Sequence, residues 1–347
     1  MELGIPADWS ELTPEWLTAA LARDFPGAEA SGFEVLFADS GNNRRARLGL
    51  RYAAGKGPAT VFLKAGDPVH MQTNARTGGV FFEHALFTSG VELAIEHPRV
   101  HLSLVDEAAP DFLLLMEDVT GRGADPRDST RPLTVEQTVA GVRQLARLHS
   151  AFWGAVEDPA LAWVVPFVPW PGMDGAVGRG LPRAGDVLPA ELAGLSAQDL
   201  NDDLWTRSVR ALAQGTPTFL HGDAHVGNTY VLPDGGVGFL DWQVMRWGNG
   251  VHDLGYFVQG ALPVEERRRH ERDVVAAYRD ALDVPDRPDL DELWIRYRAS
   301  TWYGLAIWLA TASGNFQLLE VSRALVERYG QAAVDLDAAA ALVELGV

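Results

Sequence analysis

Two carboxylates and an amide are spaced for chemistry between residues 218 and 243. His221-Gly222-Asp223 is followed by Asn228, and Asp241-Trp242-Gln243 comes after a strand, a glycine turn and a second strand. A carboxylate within hydrogen-bond reach of an attacking hydroxyl can orient it and take its proton. A second carboxylate with one amide oxygen is enough protein for a magnesium ion, which keeps several of its waters. Groups of this kind serve phosphoryl transfer, in which catalysis is mostly positioning and neutralisation of charge spread over oxygens. On this reading Asp223 handles the hydroxyl, and Asn228 and Asp241 hold the metal. A rival reading starts from the alternation of His221, Asp223 and His225, which suits zinc or a metal pair with Asp241 completing the set. That metallohydrolase leaves Asn228 and Lys64 without a task.

The elements that must position these groups are short. Residues 218–220, 230–232 and 237–240 read as strands, and Asp234-Gly235-Gly236 supplies the turn that pairs the last two as a hairpin. Both aspartates then stand at strand-to-loop edges. Upstream, Thr13-Pro14 is an N-cap followed by a first helical residue, and Trp16, Leu17, Ala20 and Leu21 share a helical face. Residues 33–38, 45–52, 60–64, 99–105 and 112–116 read as antiparallel strands with one helix, 79–89, among them.

Thr134 with Gln137 makes a capping box that opens a helix running to about Trp153. Residues 154–188 are rich in proline and glycine and read as a long irregular segment of the kind used as lids and binding loops. Helices are expected over 190–213, 264–282, 290–311 and 316–342. The fold class is therefore α+β: a small antiparallel sheet with one helix, then a larger, mainly helical part. Trp294, Tyr297, Trp302, Tyr303 and Trp308 read first as core; the alternatives are a cage for a quaternary ammonium and the lining of an apolar substrate pocket.

The stretch from His221 to Asn228 resembles the aminoglycoside phosphotransferase and choline kinase superfamily, small-molecule kinases of the protein-kinase-like fold. The motif H-G-D-x-H-x-x-N followed by D-W-Q stands where protein kinases have H-R-D-x-x-x-x-N and a metal-binding aspartate. The resemblance extends over about residues 35 to 260. It implies a bilobal fold: an N-terminal nucleotide-binding lobe, 1–116, a connector, 117–120, and a helical C-terminal lobe, 121–347, carrying the catalytic loop and substrate site. It implies ATP and Mg2+ as cofactors and a small hydroxylated molecule as acceptor.

Residue by residue, the resemblance makes Lys64, at the end of Val61-Phe62-Leu63-Lys64, the phosphate-binding lysine, oriented by Glu83 in Phe82-Glu83-His84. Glu117 and Val119 fall in the connector, whose backbone meets the adenine. Ser40-Gly41-Asn42 forms the turn over the phosphates, with a single glycine where protein kinases have G-x-G-x-x-G. His149 and Asp253 are read as structural, the second bracing the catalytic loop, and His225 and Trp242 as shaping the site. A silent nucleotide-binding regulator is the other alternative, and the presence of Lys64, Asp223, Asn228 and Asp241 speaks against it.

Composition narrows the field from another side. The 347 residues carry a formal charge of −18, so the basic footprint that nucleic acid requires is missing, and no nucleic-acid partner is expected. There is no cysteine, which removes thiolate catalysis and Cys-ligated zinc. The N-terminus does not read as a signal peptide and no apolar run is long enough to span a bilayer, so a cytoplasmic protein without membrane contact is expected.

Overall fold

The computed structural model describes residues 3–41, 43–67, 79–170, 172–314 and 317–347. Asn42 therefore lies outside the described residues. The chain divides into two compact units, Met1–Glu92 with His97–Asp125, and Leu93–Glu96 with Pro126–Val347.

In the first unit Thr13 caps α1, Pro14–Leu21, by accepting from the Trp16 N–H. Five antiparallel strands follow: β1 Glu29–Ser40, β2 Asn43–Ala54, β3 Thr60–Gly66, β4 Val100–Asp106 and β5 Asp111–Glu117, in the order β1-β2-β3-β5-β4. The strands run further at most of their ends than the apolar runs suggest. Their two-residue alternation separates the faces. Val61, Leu63 and Ala65 of β3 and Leu113 and Leu115 of β5 pack on Leu17 and Leu21 of α1. Phe112 and Leu114 turn the other way, against Phe81 and Phe87 of α2, Gly79–Thr88. Lys64 follows the same alternation onto the α2 side, opposite Leu114 in the register.

The second unit is mostly helical. Its α3, Val135–Ala151, has both halves of the Thr134–Gln137 capping box. The expected irregular segment 154–188 contains a 12-residue helix, α4, Met173–Ala184, despite Gly172 before it and Pro182 inside it. Packing decides this: a β-carbon at Gly180 would lie 1.7 Å from the Leu309 carbonyl oxygen, so the glycine lets α4 press against a neighbouring helix. The helix expected over 190–213 is a 3-10 turn, Ala190–Leu192, then a π-helical stretch, Asp199–Trp205, running into α5, Thr206–Leu212. Strand β6, Thr218–Leu220, pairs with β9, Arg246–Gly248, which has no clear sequence signal; β7, Thr229–Val231, and β8, Val237–Phe239, form the expected hairpin with Gly235 at φ +86°.

Helix α6, Val251–Ala261, is buried at every one of its residues. After α7, Val264–Ala281, the helix expected over 290–311 is two, α8 Leu290–Ala299 and α9 Thr301–Ala312. At the break the Ser300 and Thr301 hydroxyls donate back to the carbonyls of Tyr297, at 2.7 Å, and Arg298, at 2.9 Å, and compete with the helical ladder. The last expected helix is likewise divided, into α10 Leu319–Asp335 and α11 Ala338–Glu344, by Asp337 at φ +46°. No helix among the described residues is long and apolar enough to cross a membrane.

Candidate active site

The loop after β6 is held from below by one buried carboxylate. Asp253 Oδ2 accepts the His221 backbone N–H at 2.7 Å and lies 3.1 Å from His149 Nε2, while Oδ1 accepts the Gly222 N–H at 3.0 Å. His149, fully buried, completes its bonding at 2.7 Å from the Tyr278 hydroxyl. Burial would raise the Asp253 carboxyl, but the hydrogen bond and charge of His149 outweigh it and hold the group below its ordinary range. Gly222 can be nothing larger: its φ is +84° and a β-carbon would lie 2.1 Å from the Val244 carbonyl oxygen.

The loop then turns tightly. His225 N–H donates to the Asp223 carbonyl at 2.8 Å, Asn228 N–H to the His225 carbonyl at 2.9 Å, and Leu240 N–H to the Asn228 carbonyl at 2.7 Å. These bonds bring the loop and the end of β8 together. The Asn228 amide donates to Asp223 Oδ2 at 3.0 Å and to its carbonyl at 2.9 Å, leaving the amide oxygen as the atom that can face a cation. Asp241 adopts a left-handed backbone at φ +64°, shared by Asp337 alone among the described non-glycine residues. Such a conformation costs of order 1 kcal/mol or more and is kept where the aim of a side chain matters.

Electrostatics separate the groups. Burial and then the negative charge of Asp241 push the Asp223 carboxyl well above the usual carboxylate range, against the Asn228 hydrogen bond. Its side chain is still 28% exposed, so it keeps an edge on which a substrate can sit. Burial lowers His225 to about 3, which makes it neutral. His225 Nδ1 accepts the Gly227 N–H at 3.0 Å, so the ring proton is on Nε2, 3.8 Å from Asp223 Oδ2. His221 has both ring nitrogens occupied, Nδ1 by the Asp223 N–H at 3.2 Å and Nε2 donating to the Leu240 carbonyl at 2.9 Å. It is therefore not placed to ligate the metal pair of the hydrolase reading. Among the described residues no group of three or more His, Asp and Glu side chains is disposed to hold a metal. A different donor set is present: two carboxylates that repel one another and an amide oxygen. Donors that are all oxygen fit a hard divalent cation.

An aromatic wall stands next to Asp223. The Trp308 ring meets His225 edge-on at 5.0 Å, His225 lies 6.0 Å from Tyr256, and Tyr256 lies 5.2 Å from Tyr303. Tyr256 was not among the residues singled out above. It sits one helical turn after Asp253 and shares its face, which is the signal that points to it. Trp302, Tyr303 and Trp308 are buried, as a core reading requires.

In the first unit Lys64 Nζ donates to Glu83 Oε2 at 2.6 Å, and both side chains are buried. Ser40 donates its hydroxyl to the Asp67 carboxylate, and the Gly41 N–H donates to the Asn43 carbonyl at 3.1 Å. In the connector the Glu117 N–H is bound to the Arg99 carbonyl at 2.8 Å, and the Val119 carbonyl accepts from Ala124 N–H at 3.2 Å, so these two backbone groups are engaged within the unit. Asp118 is the residue there that sequence reasoning passed over. Buried between them, it accepts Arg47 Nε at 2.6 Å and the Thr120 N–H at 3.1 Å, pinning the connector to β2. An aspartate two residues before a threonine is a turn-capping signal.

Comparisons with known proteins bear on the family and the fold. A family model for the phosphotransferase enzyme family matches residues 52–293. Among solved structures, a choline kinase from Cryptosporidium parvum Iowa II superposes with a TM-score of 0.56 at 10% identity, covering 96% of this chain and 99% of its own. A candidate aminoglycoside phosphotransferase from Ralstonia eutropha JMP134 gives 0.56 at 16%, covering 94% and 98%. A spectinomycin phosphotransferase solved with ADP and spectinomycin gives 0.50 at 14%, covering 94% and 99%. At such identities the likeness establishes the shared fold, the protein-kinase-like one with its antiparallel N-terminal sheet and larger helical part. No curated protein sequence matches. The family match spans well over half of the 347 residues, and the chain belongs to the phosphotransferase enzyme family.

Proposed function

We propose that the protein is an ATP- and magnesium-dependent kinase that phosphorylates a hydroxyl of a small molecule, with Asp223 as the residue that positions and deprotonates that hydroxyl. The observation that carries this is the state of Asp223. It is lifted above the ordinary carboxylate range by burial and Asp241, is fixed by Asn228, and is partly open to solvent. A carboxylate lifted in this way is a better proton acceptor, and the Asn228 amide sets its direction.

In this reading the acceptor oxygen attacks the terminal phosphorus of ATP as its proton passes to Asp223 Oδ2. One oxygen–phosphorus bond forms, the bond to the leaving ADP breaks, and the product is a phosphate ester. Asn228 and Asp241 would hold a magnesium ion, which when bound would neutralise charge on the phosphate oxygens. Lys64, braced by Glu83, binds phosphate oxygens; the turn at Ser40, Gly41 and Asn42 covers them, and the connector from Glu117 to Val119 meets the base. His225, neutral and with its proton on Nε2, cannot compete with Asp223 as base. Support for nucleotide use also comes from the spectinomycin phosphotransferase, which was solved with ADP.

The deciding experiment is ADP release from ATP across a library of hydroxylated metabolites, with location of the new phosphate ester. Asp223→Ala is expected to retain nucleotide binding and to abolish turnover of the substrate found. Turnover at the wild-type rate in that variant rejects Asp223 as the base.

A further inference from the structure

We propose that Tyr256 and Trp308 form an acceptor-recognition pocket beside Asp223, built for an uncharged, ring-bearing alcohol with a second oxygen next to the reacting hydroxyl. This rests on the kinase reading above and names its substrate class.

Two buried donors carry the argument. Tyr256 is 2% exposed and Trp308 3%, and among the described residues neither the Tyr256 hydroxyl nor the Trp308 indole N–H has a hydrogen-bond partner. The Tyr256 hydroxyl leans toward both Asp223 and the Trp308 indole but meets hydrogen-bond geometry with neither. A buried donor left unpaired costs about 1–3 kcal/mol. Two such donors side by side, at the carboxylate that takes the acceptor proton, are completed by an oxygen that accepts from both. A hydroxyl or ether neighbouring the reacting hydroxyl supplies that oxygen.

The surroundings set the body of the ligand. The Trp308 ring stands edge-on to His225 at 5.0 Å, Tyr303 is 5.2 Å from Tyr256, and Phe167 is 5.5 Å from Tyr303. Flat apolar walls of this kind bury a ring rather than a flexible polar chain. Charge argues the same way. The acids acting on Tyr303 are Asp223 and Asp253, with Arg246 as the opposing cation, and Asp241, which acts on His225, is assigned to the metal in the proposed function. Asp253 is consumed by the His221 and Gly222 N–H groups and His149, and Asp223 by the chemistry. A polyamine loses hydration that needs several carboxylates to replace, and a quaternary ammonium would be set against two N–H or O–H donors and the Arg246 guanidinium. The net charge of −18 is a property of the whole surface and does not describe this corner.

The test uses the full-length protein with ATP and magnesium and four probes: trans-cyclohexane-1,2-diol, a steroid diol, kanamycin and choline. Binding is measured by calorimetry on wild type and on Asp223→Asn, and ADP release on wild type. One of the neutral ring alcohols is expected to bind at least about tenfold more tightly than kanamycin and choline, a difference of about 1.4 kcal/mol. Tyr256→Phe and Trp308→Phe keep the aromatic wall and remove one donor each. Each is expected to weaken that alcohol at least about tenfold while the KM for ATP stays unchanged. Tighter binding of kanamycin or choline, no binding of either neutral alcohol, or unchanged alcohol affinity in both variants overturns the proposal. The kinase reading fails separately, through absence of magnesium-dependent ATP binding in the same calorimeter, whichever acceptor the pocket takes.

Discussion

Asp253 Oδ2 lies 2.7 Å from the backbone nitrogen of His221, a carboxylate on α6 accepting the first N–H of the loop that carries Asp223. Its other oxygen takes the Gly222 N–H. An asparagine has one acceptor oxygen and a donor in place of the second, so Asp253→Asn sets an amide N–H₂ against a backbone N–H or His149. We expect a loss of about 1–3 kcal/mol in urea unfolding, the cost of a buried unpaired donor. We also expect kcat to fall with the KM for ATP little changed, because the displaced loop carries Asp223, the residue proposed as the base. Unaltered stability together with unaltered kcat would show that the loop keeps its shape without this brace.

Asp223 links function to stability with a definite sign. Its folded pKa is raised above the unfolded value of about 3.9. The native state therefore holds the proton more tightly than the unfolded chain, and stability present at low pH is lost as pH rises through the folded pKa. Asp223→Asn removes that loss. The variant is expected to be more stable than wild type at pH 7 to 8, with the difference shrinking toward pH 4, and to lose kcat by about 100-fold or more. Urea unfolding of both proteins across that range checks the sign; a variant less stable at pH 8 than at pH 4, relative to wild type, contradicts it.

The ion pair of Lys64 and Glu83 is buried, and a buried pair is costly to break on one side only. Glu83→Gln keeps an acceptor for the Lys64 ammonium but removes the opposing charge, and is expected to cost up to about 3–5 kcal/mol. The double variant Lys64→Met with Glu83→Leu fills the same space without charge and is expected to recover most of that stability. It should nevertheless lose ATP turnover, since the pair serves phosphate binding in the proposed function. Guanidinium unfolding and ADP release measured on the same three proteins separate the two roles.

How much of this was legible in the sequence depended on whether a residue's task left a local pattern. The Thr134–Gln137 capping box and the Asp234-Gly235-Gly236 hairpin are local, and each appears where the sequence puts it. The spacing of Asp223 and Asn228 is also local, and it ends in a hydrogen bond of 3.0 Å. Every residue of helix α6 is buried, and its Tyr256 was missed although Asp253, three residues before it on the same face, was seen. Helix α4 was hidden by its glycines, of which Gly180 serves close approach to Leu309 rather than a loop. The divisions at Ser300 and Asp337 depend on side-chain hydroxyls and a left-handed residue, features that a hydrophobic period does not register.

Asp241 is predicted to set the magnesium requirement. Asp241→Asn tolerates the left-handed backbone at φ +64° as well as aspartate does, so the change isolates charge from conformation. The magnesium concentration for half-maximal turnover is expected to rise at least about tenfold, a loss of about 1.4 kcal/mol. In the absence of magnesium the same variant should titrate Asp223 closer to the ordinary carboxylate range, because a like charge has gone. Chelation of the metal in wild type should abolish turnover and be reversed by added magnesium. An unchanged magnesium optimum in Asp241→Asn removes it from the metal site.

His225 makes the final prediction, in acid. Burial holds its folded pKa at about 3, below the unfolded value of about 6.5. The native state excludes a proton that the unfolded chain binds, so stability from this group is present above about pH 6.5 and is lost as pH falls toward 3. Within that window the slope from one such group is up to about 1.4 kcal/mol per pH unit. His225→Gln keeps an acceptor for the Gly227 N–H and has no proton to gain, so its unfolding free energy should fall less steeply between pH 6 and 4. Urea titrations at half-unit steps measure the two slopes. Equal slopes would mean that His225 gains its proton in the folded protein, which would place a charge beside Asp223 and change its role from filler to participant.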